Sequence, residues 1–142
     1  MDMTQNNHPV LAGLGLLSVV LILMAIMIVP TIFYLLTLQK ALTRCSPESR
    51  AMNPGMVWLM LIPFFNLVWH FIIVLNMAKS LAAEFGKRGI PEEPNPGQTL
   101  GLVMCVSALI CAPVYLVCWI IYWVKIAGYS SRIAAPPPAI AA

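Results

Sequence analysis

Three apolar stretches, residues 10–38, 57–78 and 99–124, fill more than half of the 142-residue chain, and none holds an Asp, Glu, Lys or Arg. A charge-free apolar run of about 18 or more residues is long enough to cross a ~30 Å hydrocarbon layer as a helix. A water-soluble domain of this length shows charged faces along its elements. With 61% hydrophobic and 9% charged residues, too little polar surface is left to cover one. Backbone groups inside a bilayer must be satisfied within the segment, which selects helices, and the roughly ten-residue alternating pattern of a membrane β-strand is absent. The expected fold is all-α: an integral membrane protein of three transmembrane helices with short amphipathic juxtamembrane extensions. A polar leader (residues 1–9), a single membrane domain (10–133) and a disordered Pro/Ala tail (134–142) make up the expected domain organisation. The leader has no Lys or Arg, and the first apolar run exceeds the roughly 7–15 residues of a signal h-region, so it reads as retained.

The first stretch has 29 residues and would be about 43 Å long as a helix. It therefore tilts, kinks at Pro30 or projects beyond the membrane. Its polar continuation through Lys40 and Arg44 ends at Ser46-Pro47, and Asn53-Pro54-Gly55 turns the chain into the second stretch. Residues 79–88 read as an amphipathic stub at the membrane surface, stopped by Gly86 or Gly89. The loop 90–97 is too proline-rich for helix or strand. Residues 35–42 and 74–81 share a pattern, and each precedes an Asn-Pro-Gly turn. Shared juxtamembrane composition accounts for this as well as an internal duplication does.

With three spans, the first loop and the C-terminal side carry Lys40, Arg44, Arg50, Lys125 and Arg132. The other side carries Lys79, Lys87 and Arg88. The excess places the N-terminus outside and the C-terminus in the cytoplasm, with Trp119, Tyr122 and Trp123 anchoring the cytoplasmic end. A rival topology makes the second stretch a re-entrant hairpin hinged at Pro63, with both loops cytoplasmic. The cationic flanks suit anionic lipid headgroups, and no basic patch on an exposed domain suits nucleic acid.

The polar residues inside the apolar stretches are the candidate site. Asn66 and His70 lie four apart, on one helical face. Pro63 just before them withholds a backbone donor and frees the carbonyl of Leu59. Such residues within a membrane either bond to a neighbouring helix or line a pathway. In the third stretch, Gly101, Met104, Ala108, Cys111, Tyr115, Cys118, Tyr122, Lys125 and Tyr129 recur at three-four spacing. They form one seam of small and polar residues suited to close helix packing. Cys105, Cys111 and Cys118 read as small packing residues, and neither they nor Cys45 make a disulfide framework or a zinc spacing. His8 lies outside the apolar stretches, so no pair of histidines is available for haem. No catalytic signature, metal site or cofactor motif is present, and an enzyme using His70 with Cys111 or Cys118 lacks a base–nucleophile or ligand set.

Pro54-Gly55-Met56-Val57-Trp58, followed by Ile62-Pro63-Phe64-Phe65-Asn66-Leu67, resembles the motif of a bacterial multi-span membrane protein family of unknown function. The resemblance covers about residues 50–80. It implies a bacterial inner-membrane protein and singles out Pro63, Asn66 and Leu67, without implying an activity or a ligand. The function expected is that of a small helical membrane protein acting through helix packing, as a homo-oligomer or an accessory subunit of a larger membrane complex. The alternative is an oligomeric channel or transporter-like pore lined by Asn66 and His70.

Overall fold

A computed structural model describes residues 8–62 and 64–135. Among the described residues every regular element is helical and there is no strand: α1 (His8–Arg44), a 3₁₀ segment (Pro54–Leu61), α2 (Phe65–Arg88), α3 (Gln98–Ile110) and α4 (Ala112–Ala134). Of these, α1, α2 and α4 are long and apolar enough to cross a membrane. The leader up to Asn7, Pro63 and the tail from Pro136 lie outside the described residues, as do the expectations placed on them. The chain divides into two compact units, Met1–Tyr34 and Leu35–Ala142, with the boundary inside α1.

In the first unit, α1 is a single apolar helix, and residues 10–29 are all exposed. Pro30 does not end it. The side-chain hydroxyls here bond within the helix, Ser18 Oγ to the Gly15 carbonyl (2.8 Å) and Thr31 Oγ1 to the Met27 carbonyl (2.7 Å).

In the second unit, the apolar stretches do not form straight spans. The stretch 57–78 begins in the 3₁₀ segment, capped by Asn53, whose side chain accepts the Gly55 N–H at 2.9 Å. The chain then reverses at Ile62 and Phe64. Phe64 has φ +66°, a region costly for a side chain. Trp69 Nε1 donates back to the Met56 carbonyl (2.9 Å), and Ala51 N donates to Ser80 Oγ (2.9 Å), so residues 46–61 run antiparallel to α2. Gly89, at φ +63°, ends α2, and the Ile90 N–H reaches back to the Phe85 carbonyl (3.0 Å).

The stretch 99–124 is likewise bent, which corrects the reading of it as one span with one seam. Continued through residue 113, a helix would have no N–H for the carbonyl of Leu109, and the proline ring would crowd that carbonyl. The chain breaks at Cys111 (φ −151°, ψ 100°) and restarts with Pro113 in the first turn of α4, where the missing N–H costs nothing. Helix α4 then folds back on α3. Gly97 lies against Tyr122, Ile126 and Tyr129, and Gly101 against Tyr122. Gly101, Met104, Tyr122 and Tyr129 thus bury against the other arm of their own hairpin, while Ala108 near the bend is exposed. A Cβ on Gly101 would collide with Val74 Cγ1 and lie 2.9 Å from Tyr122 Cε2, so this glycine sets how closely α2, α3 and α4 approach.

The core follows helical periodicity. Leu35, Leu38, Ala41 and Leu42 come from α1, Ile73, Val74, Met77, Leu81 and Phe85 from α2, Met104 from α3, and Tyr122, Ile126, Tyr129 and Ile133 from α4. Polar bonds close the same end. Glu84, 2% exposed, accepts from Ser46 N (2.9 Å), Ser46 Oγ (2.7 Å) and Arg88 Nε (2.7 Å). Arg88 Nη1 donates to the Ile133 carbonyl (2.6 Å), and Arg44 Nη1 to the carbonyl and hydroxyl of Ser130 (2.7 and 2.9 Å). Glu92 pairs with Arg132, and Glu93 with Lys125. Both loops and the end of α4 are therefore brought together, contrary to the expectation that the second loop lies opposite the first.

Replacing Gly101 with Ala should lower stability by about 1–3 kcal/mol through overpacking. Gly86→Ala, in α2 with nothing near the new methyl, should raise it by about 0.5–1 kcal/mol. Glu84→Ala strands the Ser46 donors and Arg88 and should cost about 2–4 kcal/mol. Unfolding of the three variants in mild detergent checks the order, and equal effects at Gly86 and Gly101 would refute the close approach.

Candidate functional site

Away from the polar end, packing loosens. Ala108, Leu109, Ile110 and residues 112–114 are exposed, and Phe64 is 95% exposed. Between the two bends lies a cavity of about 300 Å³ lined by Phe64, Asn66, Leu67 and His70 from the start of α2, Cys105 and Ala108 from α3, and Tyr115 from α4. The i, i+4 relation of Asn66 and His70 brings both to this wall, facing helices of the same chain. His70 is 6% exposed.

Asn66 Oδ1 is buried and has no hydrogen-bond partner among the described residues. An acceptor left in this state costs about 1–3 kcal/mol, so the wall carries a polar demand that its own side chains do not meet.

Of the seam residues, Ala108 and Tyr115 reach the cavity wall, whereas Gly101 and Tyr122 belong to the core below it. Cys111 sits at the bend and Cys118 is half-buried on α4. Cys105, which sequence reasoning treated only as a packing residue, is the cysteine that shares the cavity with His70. No cluster of three or more His, Cys, Asp or Glu suited to a metal occurs among the described residues. The residues that line the cavity include no carboxylate.

Sequence reasoning missed the polar end as a unit. Its signals were present but individually weak: Glu84 and Arg88 at i, i+4, and the serines at 46 and 130. The same cluster controls Cys45, which lies 1% exposed beside it with Sγ 3.4 Å from the Ala41 carbonyl. Burial, reinforced by the negative charge of Glu84, pushes its thiol up to about 11. By contrast, the hydrogen bond from Lys87 holds exposed Glu48 below the usual carboxylate range.

Compared with known proteins, the chain matches no family model, and no curated protein or solved structure is significantly similar to it.

Two outcomes are expected from these surroundings. At neutral pH Cys45 stays a protonated, buried thiol, so a maleimide should modify Cys111 and Cys118 first. Cys45 should react only on unfolding or as pH approaches 11; peptide mapping of the adducts tests this. Asn66→Leu removes the unmet acceptor and should stabilise the protein by about 1 kcal/mol. His70→Ala enlarges the cavity and should cost about 1–3 kcal/mol. A loss of stability in Asn66→Leu, measured by unfolding in detergent, would show that Oδ1 is satisfied.

Proposed function

We propose that this chain is a small helical protein of the bacterial inner membrane that acts through helix packing, as a homo-oligomer or as an accessory subunit of a larger membrane complex. The observation that carries this reading is the bare apolar surface of α1. Within its unit it is a lone helix, and residues 10–29 are exposed all round. Water does not tolerate such a surface, so lipid and partner helices are its natural neighbours. The motif resemblance over residues 50–80 supports the bacterial membrane assignment. The inward position of Asn66 and His70, on a cavity within one chain, favours packing over a pore lined by these residues.

The arrangement of the second unit also supports a definite topology. All eight Lys and Arg residues belong to loops or helix portions at its polar end, so the charge asymmetry is stronger than a five-to-three division. The positive-inside tendency puts that end in the cytoplasm. The leader, without Lys or Arg, lies outside, and α1 makes the crossing. From Phe65 to Ala78, and from Ala112 to Val124, each charge-free arm is only about 20 Å long. That depth passes the bilayer midplane, and α2 and α4, though long enough to cross, would do so only by drawing Lys79 or Lys125 into the hydrocarbon. The second and third apolar stretches are then re-entrant, entering and leaving on the cytoplasmic side. Lipid headgroups meet the cationic end.

Single cysteines at Glu48 and Asn95, both exposed in the two loops, test the topology in a background with the native cysteines replaced. Both should react with an impermeant thiol reagent only in inverted vesicles. Reaction from opposite sides would restore three separate spans. For the packing function, cross-linking through a cysteine at Gly13, on the bare part of α1, should trap a dimer or a second membrane protein. A particle of one chain, uncross-linked in native membranes, would refute it.

A further inference from the structure

We propose that the cavity between the two bends binds a lipid-phase molecule with a ring-sized head carrying a hydroxyl donor, of the phenol class, whose O–H is received by Asn66 Oδ1. The inference goes beyond the packing reading and depends on the membrane assignment only for the ligand's route.

Three features define the ligand. The cavity, about 300 Å³, stands at the lower end of the ~300–1,000 Å³ range of small-molecule pockets. It therefore takes a head group and leaves any tail outside. Its walls are mainly apolar or aromatic, with Phe64, Leu67, Cys105 and Tyr115, which suits a ring and excludes a charge, since no opposite charge lines the site. Its unmet polar atom is an acceptor, so the complementary ligand atom is a donor. A ketone or ether of the same shape would place one acceptor against another.

The location agrees with this chemistry. The cavity lies at the apolar bends of the second unit, far along each arm from the charged residues Lys79 and Lys125. The exposed neighbours are Phe64, Leu67 and Val68 on one hairpin and Leu109 and Ile110 on the other. A ligand arrives there through hydrocarbon rather than water. The same exposure explains why the site is open to exchange while the core near Gly101 is closed.

The test uses para-hexylphenol and para-hexylanisole, which differ by methylation of the oxygen and hence by loss of the donor. Binding to the full chain in nanodiscs, read by calorimetry, should favour the phenol by at least about tenfold, equivalent to ~1.4 kcal/mol. In Asn66→Leu the preference should fall to near unity, with thermal unfolding confirming that the variant is folded. Cys105→Ala, which widens the wall without touching the acceptor, should keep the preference. Equal affinity of the wild type for both compounds, including no binding of either, overturns the proposal and leaves water as the partner of Oδ1. A preference that survives in Asn66→Leu also overturns it, because the discrimination would then lie elsewhere.

Discussion

The Glu84 carboxylate is the interaction on which the second unit depends. Nearly all of its surface is removed from water, and it is satisfied by one backbone N–H, one hydroxyl and one guanidinium. Burying a charge costs several kcal/mol unless its lone pairs are taken up, so the group is stable only when these partners arrive together. Ser46 brings the chain leaving α1. Arg88 is held in place by a second bond to the Ile133 carbonyl at the end of α4. A single carboxylate on α2 thus fixes both the segment that precedes it and the one that follows. Arg44 repeats the device, tying the end of α1 to Ser130. These bonds set the level at which the apolar residues of α1, α2 and α4 meet.

Once the ends are fixed, the bends decide the architecture. A proline within an apolar run has two outcomes here. At Pro30 the helix continues. Before Pro113 it breaks, because the returning arm can bury Tyr122, Ile126 and Tyr129 against Gly97 and Gly101. The lost helical hydrogen bond is offset by that burial, at about 25 cal/mol per Å² of apolar surface. Proline supplies the weak point, and the availability of a small-residue surface within reach determines whether the chain uses it.

This contrast marks what could be read from the residues alone. The all-helical character and the apolar lengths follow from composition, since they need only one-dimensional counting. The stop at Gly86 or Gly89, of which the helix uses Gly89, the turn at Asn53-Pro54-Gly55 and the placing of Asn66 and His70 on one face follow from local rules. The bend at Cys111 was not read, although Pro113 marks a weak point there, because Pro30 in a similar apolar run leaves its helix unbroken and a hydrophobic run looks the same whether straight or doubled back. The seam was assigned to one helix, whereas the stretch forms two. Its residues on α3 and α4 face each other, so spacing alone mistook an internal contact for an external one. Counting charges loop by loop also could not show that the two loops meet at one end of the unit, since that contact joins residues as far apart in sequence as Glu48 and Lys87. Glu84 escaped notice because its partners lie 38 residues upstream and, through Arg88, 45 residues downstream.

The second unit is consequently uneven, well packed at its charged end and loose at its bends. In water this would be unstable, because the exposed bends carry Phe64, Leu109 and Ile110. In hydrocarbon the ordering is reasonable. Apolar contacts between helices gain little there, since lipid is as apolar as leucine, whereas hydrogen bonds and close backbone approach still hold helices together. Stability therefore concentrates where the chain has Glu84, Arg88, Arg44 and Gly101, and the bends pack loosely. The gap they leave is where a buried amide oxygen goes unmet.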